Sequence, residues 1–234
     1  MLRIDRLDAH YGLFQALFGV SLDIPRAESL ALIGANGAGK TTLLRAIAGA
    51  LRVRRSAVRL DGTDLGGGPE RKQLAHGIAL VPEGRRLFAD LSVEENLQLA
   101  AGLAARQGQC GPWTVEGMFR ELHALAPLRS RPATALSGGQ QQLVAIARAL
   151  VMNPRYLLCD EVSLGLSPLA VDEVYTLLRK VRGAGTAIVL VEQNVGRALA
   201  ESSRFCCLQK GRIVLEGASS TADHARVAHA YFGI

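Results

Sequence analysis

Apolar and polar positions along the chain follow two periods. Short runs of strand character come first, LRIDRLDAHY, ALFGVSLDIP and SLALIGA, the last nearly all apolar, as a strand buried on both faces must be. A glycine-rich turn leads from it into KTTLLRAIAGAL, where Leu43, Leu44, Ile47 and Leu51 share one helical face and Gly49 stands near the end. VRLDGTDL, a helical ERKQLAH and a second buried strand, GIALVPE, stopped at Pro82, follow. From 91 to 150 the period is helical: SVEENLQLAAGLAAR opens with Ser92 and Glu95 in capping-box spacing, and two more helical segments come after it. Strand and helix then alternate again through RYLLCDE, AVDEVYTLLRKVR, TAIVLVE, a short helix from Val195, RFCCLQKG and RIVLEGA, before a terminal helix from about Thr221. This order predicts an α/β fold, a mostly parallel sheet covered by helices and interrupted by a helical insertion.

Composition narrows the function classes. The 234 residues are 49% hydrophobic and 21% charged, without repeats or low-complexity tracts, which argues against disorder except at the ends. No apolar run approaches the roughly 20 residues that cross a bilayer, and MLRIDRLDAHYG carries acids and no apolar signal core, so a cytoplasmic protein is expected. The net charge of +6 is scattered apart from Arg52, Arg54, Arg55 and Arg59, with no interleaved aromatics; solvated surface is the expectation, not nucleic-acid binding. Cys110, Cys159, Cys206 and Cys207 have neither metal-ligand spacing nor a disulfide framework, and the last three lie in apolar runs, as buried free thiols do.

The candidate chemistry starts at GANGAGKTT, residues 34–42, which fits G-x-x-x-x-G-K-[ST] between a predicted strand and a predicted helix. Gly34, Gly37 and Gly39 let the backbone curl so that N–H groups through Asn36, Gly37, Ala38 and Gly39 point at phosphate oxygens, with the positive helix end behind them. Lys40 supplies charge, Thr41 a hydroxyl for Mg²⁺, and Thr42 a further donor. Such a loop needs an acid at the end of another buried strand. YLLCDE provides Asp160 and Glu161, two adjacent carboxylates whose pairing points to a cation or to solvent: Asp160 for Mg²⁺ through its water shell, Glu161 to orient or deprotonate the attacking water. LSGGQQQ, residues 136–142, precedes the helix QLVAIARALV with Ser137 as N-cap, Gln140 in capping-box position, and Gly138 and Gly139 leaving N–H groups bare. Taken alone it is an anion site or simply a well-capped helix. LVEQN, residues 190–194, ends a buried strand in polar groups, where Gln193 either has no role or faces a ligand.

The P-loop, the helical insertion and LSGGQ ahead of YLLCDE together resemble the ATP-binding cassette (ABC) family over essentially the whole chain. The resemblance implies a P-loop NTPase with a mostly parallel core sheet and an N-terminal antiparallel β subdomain (1–88 and 155–234) and a helical subdomain (89–154). It implies ATP and Mg²⁺ as ligands. Because the signature of such a cassette cannot reach its own P-loop, it also implies a head-to-tail pair in which Ser137, Gly138, Gly139 and Gln140 meet the nucleotide of a second cassette. Tyr11 corresponds to the aromatic that stacks on adenine. VSLGLSP, residues 162–168, corresponds to the loop that touches the partner, with Val162 in place of the usual proline and Ser167 in place of aspartate. Glu83 stands where many cassettes have the glutamine that meets Mg²⁺, and Gln193 where most have the histidine that bonds the γ-phosphate. An amide donates to phosphate but carries no proton, which leaves Glu161 as the base.

VPEGR, LVEQN and the closing HAYFG resemble the cassettes of branched-chain amino acid importers. The expectation is an ATPase subunit, peripheral on the inner face of the cell membrane, partnered by permease subunits and indirectly by a solute-binding protein. A urea or amide importer cassette is the alternative within the family. Beyond it stand a soluble ABC ATPase and a non-hydrolysing regulatory cassette; intact Lys40, Thr41, Asp160 and Glu161 count against the last.

Overall fold

A computed structural model describes residues 1–232; Gly233 and Ile234, including the glycine of HAYFG, lie outside the described residues, as does the side chain of Arg71. Strands β1 (Leu2–Tyr11), β2 (Phe14–Ile24), β4 (Val58–Leu60) and β5 (Thr63–Asp64) form an antiparallel sheet in the order β2-β1-β4-β5. Burial along β1 alternates, as expected of a sheet with one face on the core. The second sheet has the order β10-β9-β3-β8-β7-β6, built from β3 (Ser29–Ile33), β6 (Ile78–Val81), β7 (Tyr156–Asp160), β8 (Ala187–Val191), β9 (Arg204–Gln209) and β10 (Arg212–Ala218). All its pairings are parallel except β9 with β10. Every residue of β3, β7 and β8 is buried, which is why these three read as unbroken apolar runs.

Helices cover the parallel sheet. On one face α1 (Lys40–Ile47) joins the antiparallel sheet in a core that takes Leu158 and Val189 from β7 and β8. An adjacent residue of each strand points the other way. Leu157 and Leu190 pack with α3 (Val93–Arg106), α4 (Val115–Glu121), α5 (Gly138–Leu150) and α6 (Pro168–Gly183). Shorter helices α2 (Glu70–Ala75), α7 (Val195–Glu201) and α8 (His224–Phe232) complete the set. Tyr156, 0% exposed, joins the two sheets: its hydroxyl accepts the Leu2 N–H at 3.0 Å and donates to the Ile24 carbonyl at 3.3 Å.

Two boundaries differ from the sequence reading. α1 stops at Ile47 because Gly49 turns left-handed at φ 78°, against the buried Gln73 side chain, so Leu51 packs on the core from outside the helix. The terminal helix starts at His224; Ser219–Thr221 form a separate 3-10 turn. The cysteines follow expectation, with Cys110 exposed and the other three buried, and burial pushes the Cys207 thiol up to about 11. Among the described residues no helix is long and apolar enough to cross a membrane.

Candidate nucleotide site

Parallel strands end on one side, and the register aligns those ends: Val191 of β8 lies opposite both Leu32 of β3 and Asp160 of β7. Ligands of open α/β sheets bind at such carboxyl ends. Here a cleft of ≈ 800 Å³ is lined by Asn36, Gly37, Gly39, Lys40, Thr41 and Thr42 on its floor, with Tyr11, Glu83, Glu161 and Gln193 among its walls.

The floor is shaped by glycine. Gly37 and Gly39 are left-handed, at φ 80° and φ 109°, and a β-carbon at Gly39 would come within 2.7 Å of Leu17 Cδ2. Gly34, at φ 149°, is held by closeness as well: a β-carbon there would stand 2.2 Å from the Leu208 carbonyl oxygen. No side chain caps α1 at its N-cap, Gly39, so its first N–H groups face the cleft as anion donors. Lys40, 5% exposed, donates from Nζ to the carbonyls of Gly34 (2.7 Å) and Ala35 (3.1 Å). Burial pushes its ammonium below the usual range, against the pull of Glu161 and Asp160. A lysine resting on two carbonyls at the mouth of an uncapped helix is poised for a stronger acceptor such as phosphate.

Asp160 and Glu161 take different partners. Asp160 is 3% exposed and accepts the Thr41 hydroxyl at 3.0 Å. Burial pushes its carboxyl up, the Thr41 bond opposes this, and Glu83 and Glu161 add to it. A carboxylate and a hydroxyl so joined, with Glu83 nearby, suit a hard divalent cation. Glu161 turns away in a left-handed backbone, φ 52°, and accepts the Gln193 Nε2–H at 2.7 Å. LVEQN thus brings Gln193 into the cleft.

Of the expected site residues, Gly34 and Ala38 are buried and do not line the cleft, and Asp160 is joined to it through Thr41. Ser137, Gly138, Gly139 and Gln140 are not on its walls. There the capping box is closed: Ser137 accepts the Gln140 N–H at 3.3 Å, and Gln140 accepts the Ser137 N–H at 2.9 Å. Gly138 is covered, since a β-carbon on it would meet Arg85 Nη2 at 2.9 Å. Arg85 also donates to Gln141 Oε1 at 3.1 Å, so the loop that puts Glu83 in the cleft rests two residues later on the signature.

Sequence reasoning missed Phe14, Gln15, Ala16, Phe18, Leu164, Lys210 and Gly211, all on the walls. Phe14 pairs with Tyr11 across the β1–β2 hairpin, giving the cleft two exposed aromatic rings. Lys210 and Gly211 form the β9–β10 turn, and the Gly211 N–H donates to the Ala38 carbonyl at 2.9 Å. The sequence signal is partial: RFCCLQKG reads as a buried strand, and the sheet order places its end on the same edge as the P-loop.

Comparison with known proteins gives a consistent picture. Residues 17–163 match the family described as ABC transporter. The chain is 38% identical to the high-affinity branched-chain amino acid transport ATP-binding protein BraG of Pseudomonas aeruginosa over 237 aligned residues, 100% of both chains. It is 35% identical to the probable branched-chain amino acid transport ATP-binding protein LivF of Archaeoglobus fulgidus, over 100% of this chain and 99% of that one. Among solved structures it resembles a nucleotide-free ATP-binding cassette from an ABC transporter with a TM-score of 0.83 at 25% identity, covering 99% of this chain and 98% of that one. A dimeric post-hydrolysis cassette bound to ADP and Pi gives a TM-score of 0.80 at 25% identity, covering 94% and 99%.

Proposed function

The chain belongs to the ABC transporter family as an ATPase subunit, and from that premise we propose that it powers an importer of branched-chain amino acids. The observation that carries the solute is the likeness to BraG, which spans both chains from end to end at 38% identity. The chain pairs head to tail with a second cassette and sits on the inner face of the membrane against permease subunits, which a solute-binding protein supplies.

In this reading the adenine stacks on Tyr11. The N–H groups of the loop through Asn36, Gly37, Ala38 and Gly39 hold the phosphates, with Gly34 fixing the turn. Lys40 leaves the Gly34 and Ala35 carbonyls for phosphate oxygens, and Thr42 donates beside it. Thr41, Asp160 and Glu83 would hold Mg²⁺, which supplies charge neutralisation at the phosphates. Glu161 orients the attacking water and takes its proton. Gln193 donates both to Glu161 and to the γ-phosphate, moving no proton itself. Ser137, Gly138, Gly139 and Gln140 meet the nucleotide held by the facing cassette.

Replacing the base tests the chemistry. Glu161→Gln lowers steady-state hydrolysis by about 100-fold or more while nucleotide binding persists; undiminished hydrolysis would remove Glu161 from this role. For the solute, the chain is purified with its membrane subunits and hydrolysis is measured as leucine, isoleucine or valine is added with the binding protein. Stimulation by these is expected, and stimulation by urea alone would reassign the importer.

A further inference from the structure

Three consecutive residues leaving β8 each bond to the segment leaving β7. The Val191 carbonyl accepts the Glu161 N–H at 3.1 Å; the Glu192 carboxylate accepts the Ser163 hydroxyl; the Gln193 amide donates to Glu161 at 2.7 Å. The outer two hold Glu161 from its backbone and from its side chain. The middle one reaches past it into the loop 162–167.

Glu192 has no part in the chemistry above, yet it is 3% exposed. A carboxylate at that depth is costly unless donors serve it. Its donors are two hydroxyls on the same oxygen, Ser163 and Tyr175, and no ion pair among the described residues includes it. Tyr175 is buried on α6, and burial, reinforced by Glu192, holds its phenol above the usual range, so it stays a donor. At its far end the loop is fixed by Ser167, which caps α6 by accepting the Ala170 N–H at 3.4 Å. Between these two anchors Leu164 is half exposed and lines the cleft.

Such an arrangement transmits displacement. β8 is buried along its whole length and gives little, so a pull on Ser163 is taken up at Glu192 and passed to its neighbour Gln193. The left-handed Glu161 backbone is a conformation that persists only where surroundings hold it, and these bonds are part of what holds it. We propose that Glu192 is a positioning residue that couples the loop 162–167 to the Gln193–Glu161 pair, so that contact made by the loop sets the geometry of the hydrolytic groups. This rests on the reading in which Glu161 and Gln193 act on bound nucleotide.

The test is a double-mutant cycle on ATP hydrolysis by the full chain, because Ser163 touches Glu192 and its alanine variant leaves the buried carboxylate in place. Ser163→Ala is expected to lower kcat about tenfold with KM for ATP unchanged, and Gln193→Ala to lower it at least as far. The double variant should be no slower than Gln193→Ala alone, since the loop then has no amide left to move. Glu192→Gln, which keeps an acceptor oxygen for both hydroxyls, should retain most of the rate that Glu192→Ala loses. Independent, multiplying losses in the double variant, or a Ser163→Ala rate equal to the parent's, would overturn the proposal. A parent chain that binds ATP without hydrolysing it would instead overturn the reading beneath it.

Discussion

Two helices of this chain begin at glycine-rich stretches, and they begin in opposite ways. α1 starts from Gly39 with no side chain on its first N–H groups. α5 starts from Ser137 with Gln140 closing the capping box, so its own side chains satisfy part of what a helix start leaves open. The first lines the cleft and the second does not. An uncapped start leaves donors free for an anion, and in the proposed site Lys40 stands beside them. A capped start gains less from a ligand, so α5 can only add to an anion held by something else. The difference fits the proposed roles, in which α1 holds the nucleotide and α5 meets one held by a second cassette.

Breaking the α1 side has the largest effect. Lys40→Ala removes a charge-assisted donor from the floor, and ATP affinity measured by calorimetry should fall by about 100-fold; unchanged affinity would refute the assignment. The α5 side responds in stability, not in binding. Ser137→Ala should cost about 1 kcal/mol and lower Tm by about 2–4 °C, with ATP affinity at the parent's value; a thermal scan and the same calorimetry check both halves.

Smallest is a change remote from both helix starts. Asp61 binds the N-terminal ammonium, Arg155 and Arg26, which hold its carboxyl well below the usual range. A depressed carboxyl contributes stability above its ordinary pKa and loses it as pH falls through the lowered one. Asp61→Asn should therefore lower Tm slightly at neutral pH, the deficit vanishing in acid, with nucleotide affinity untouched; a deficit that grows in acid would contradict the pairing.

What could be read in the sequence was what is local. The P-loop, the acid pair and the LSGGQ capping box each lie within a few residues, and their elements formed where periodicity put them, except that α1 ends early at Ile47. What escaped was brought together by pairing between distant segments. Lys210 and Gly211 enter the cleft because β9 lies parallel to β3, and no apolar pattern states which strands are neighbours. Arg85 covers Gly138 across the fold, a contact visible only once α5 packs beside the loop that follows β6. The separate partners of Asp160 and Glu161 also needed the fold. Neighbours in sequence, they part where the backbone turns left-handed at Glu161, one toward Thr41 and the other toward Gln193.

The most direct measurement is ATP affinity of the Gly139→Asp chain, in which a carboxylate replaces a bare backbone position at the start of α5. With the signature serving a nucleotide held by another cassette, that variant binds ATP as the parent does in calorimetry and loses hydrolysis. An affinity weakened as far as in Lys40→Ala would place the signature in the chain's own site and contradict the account.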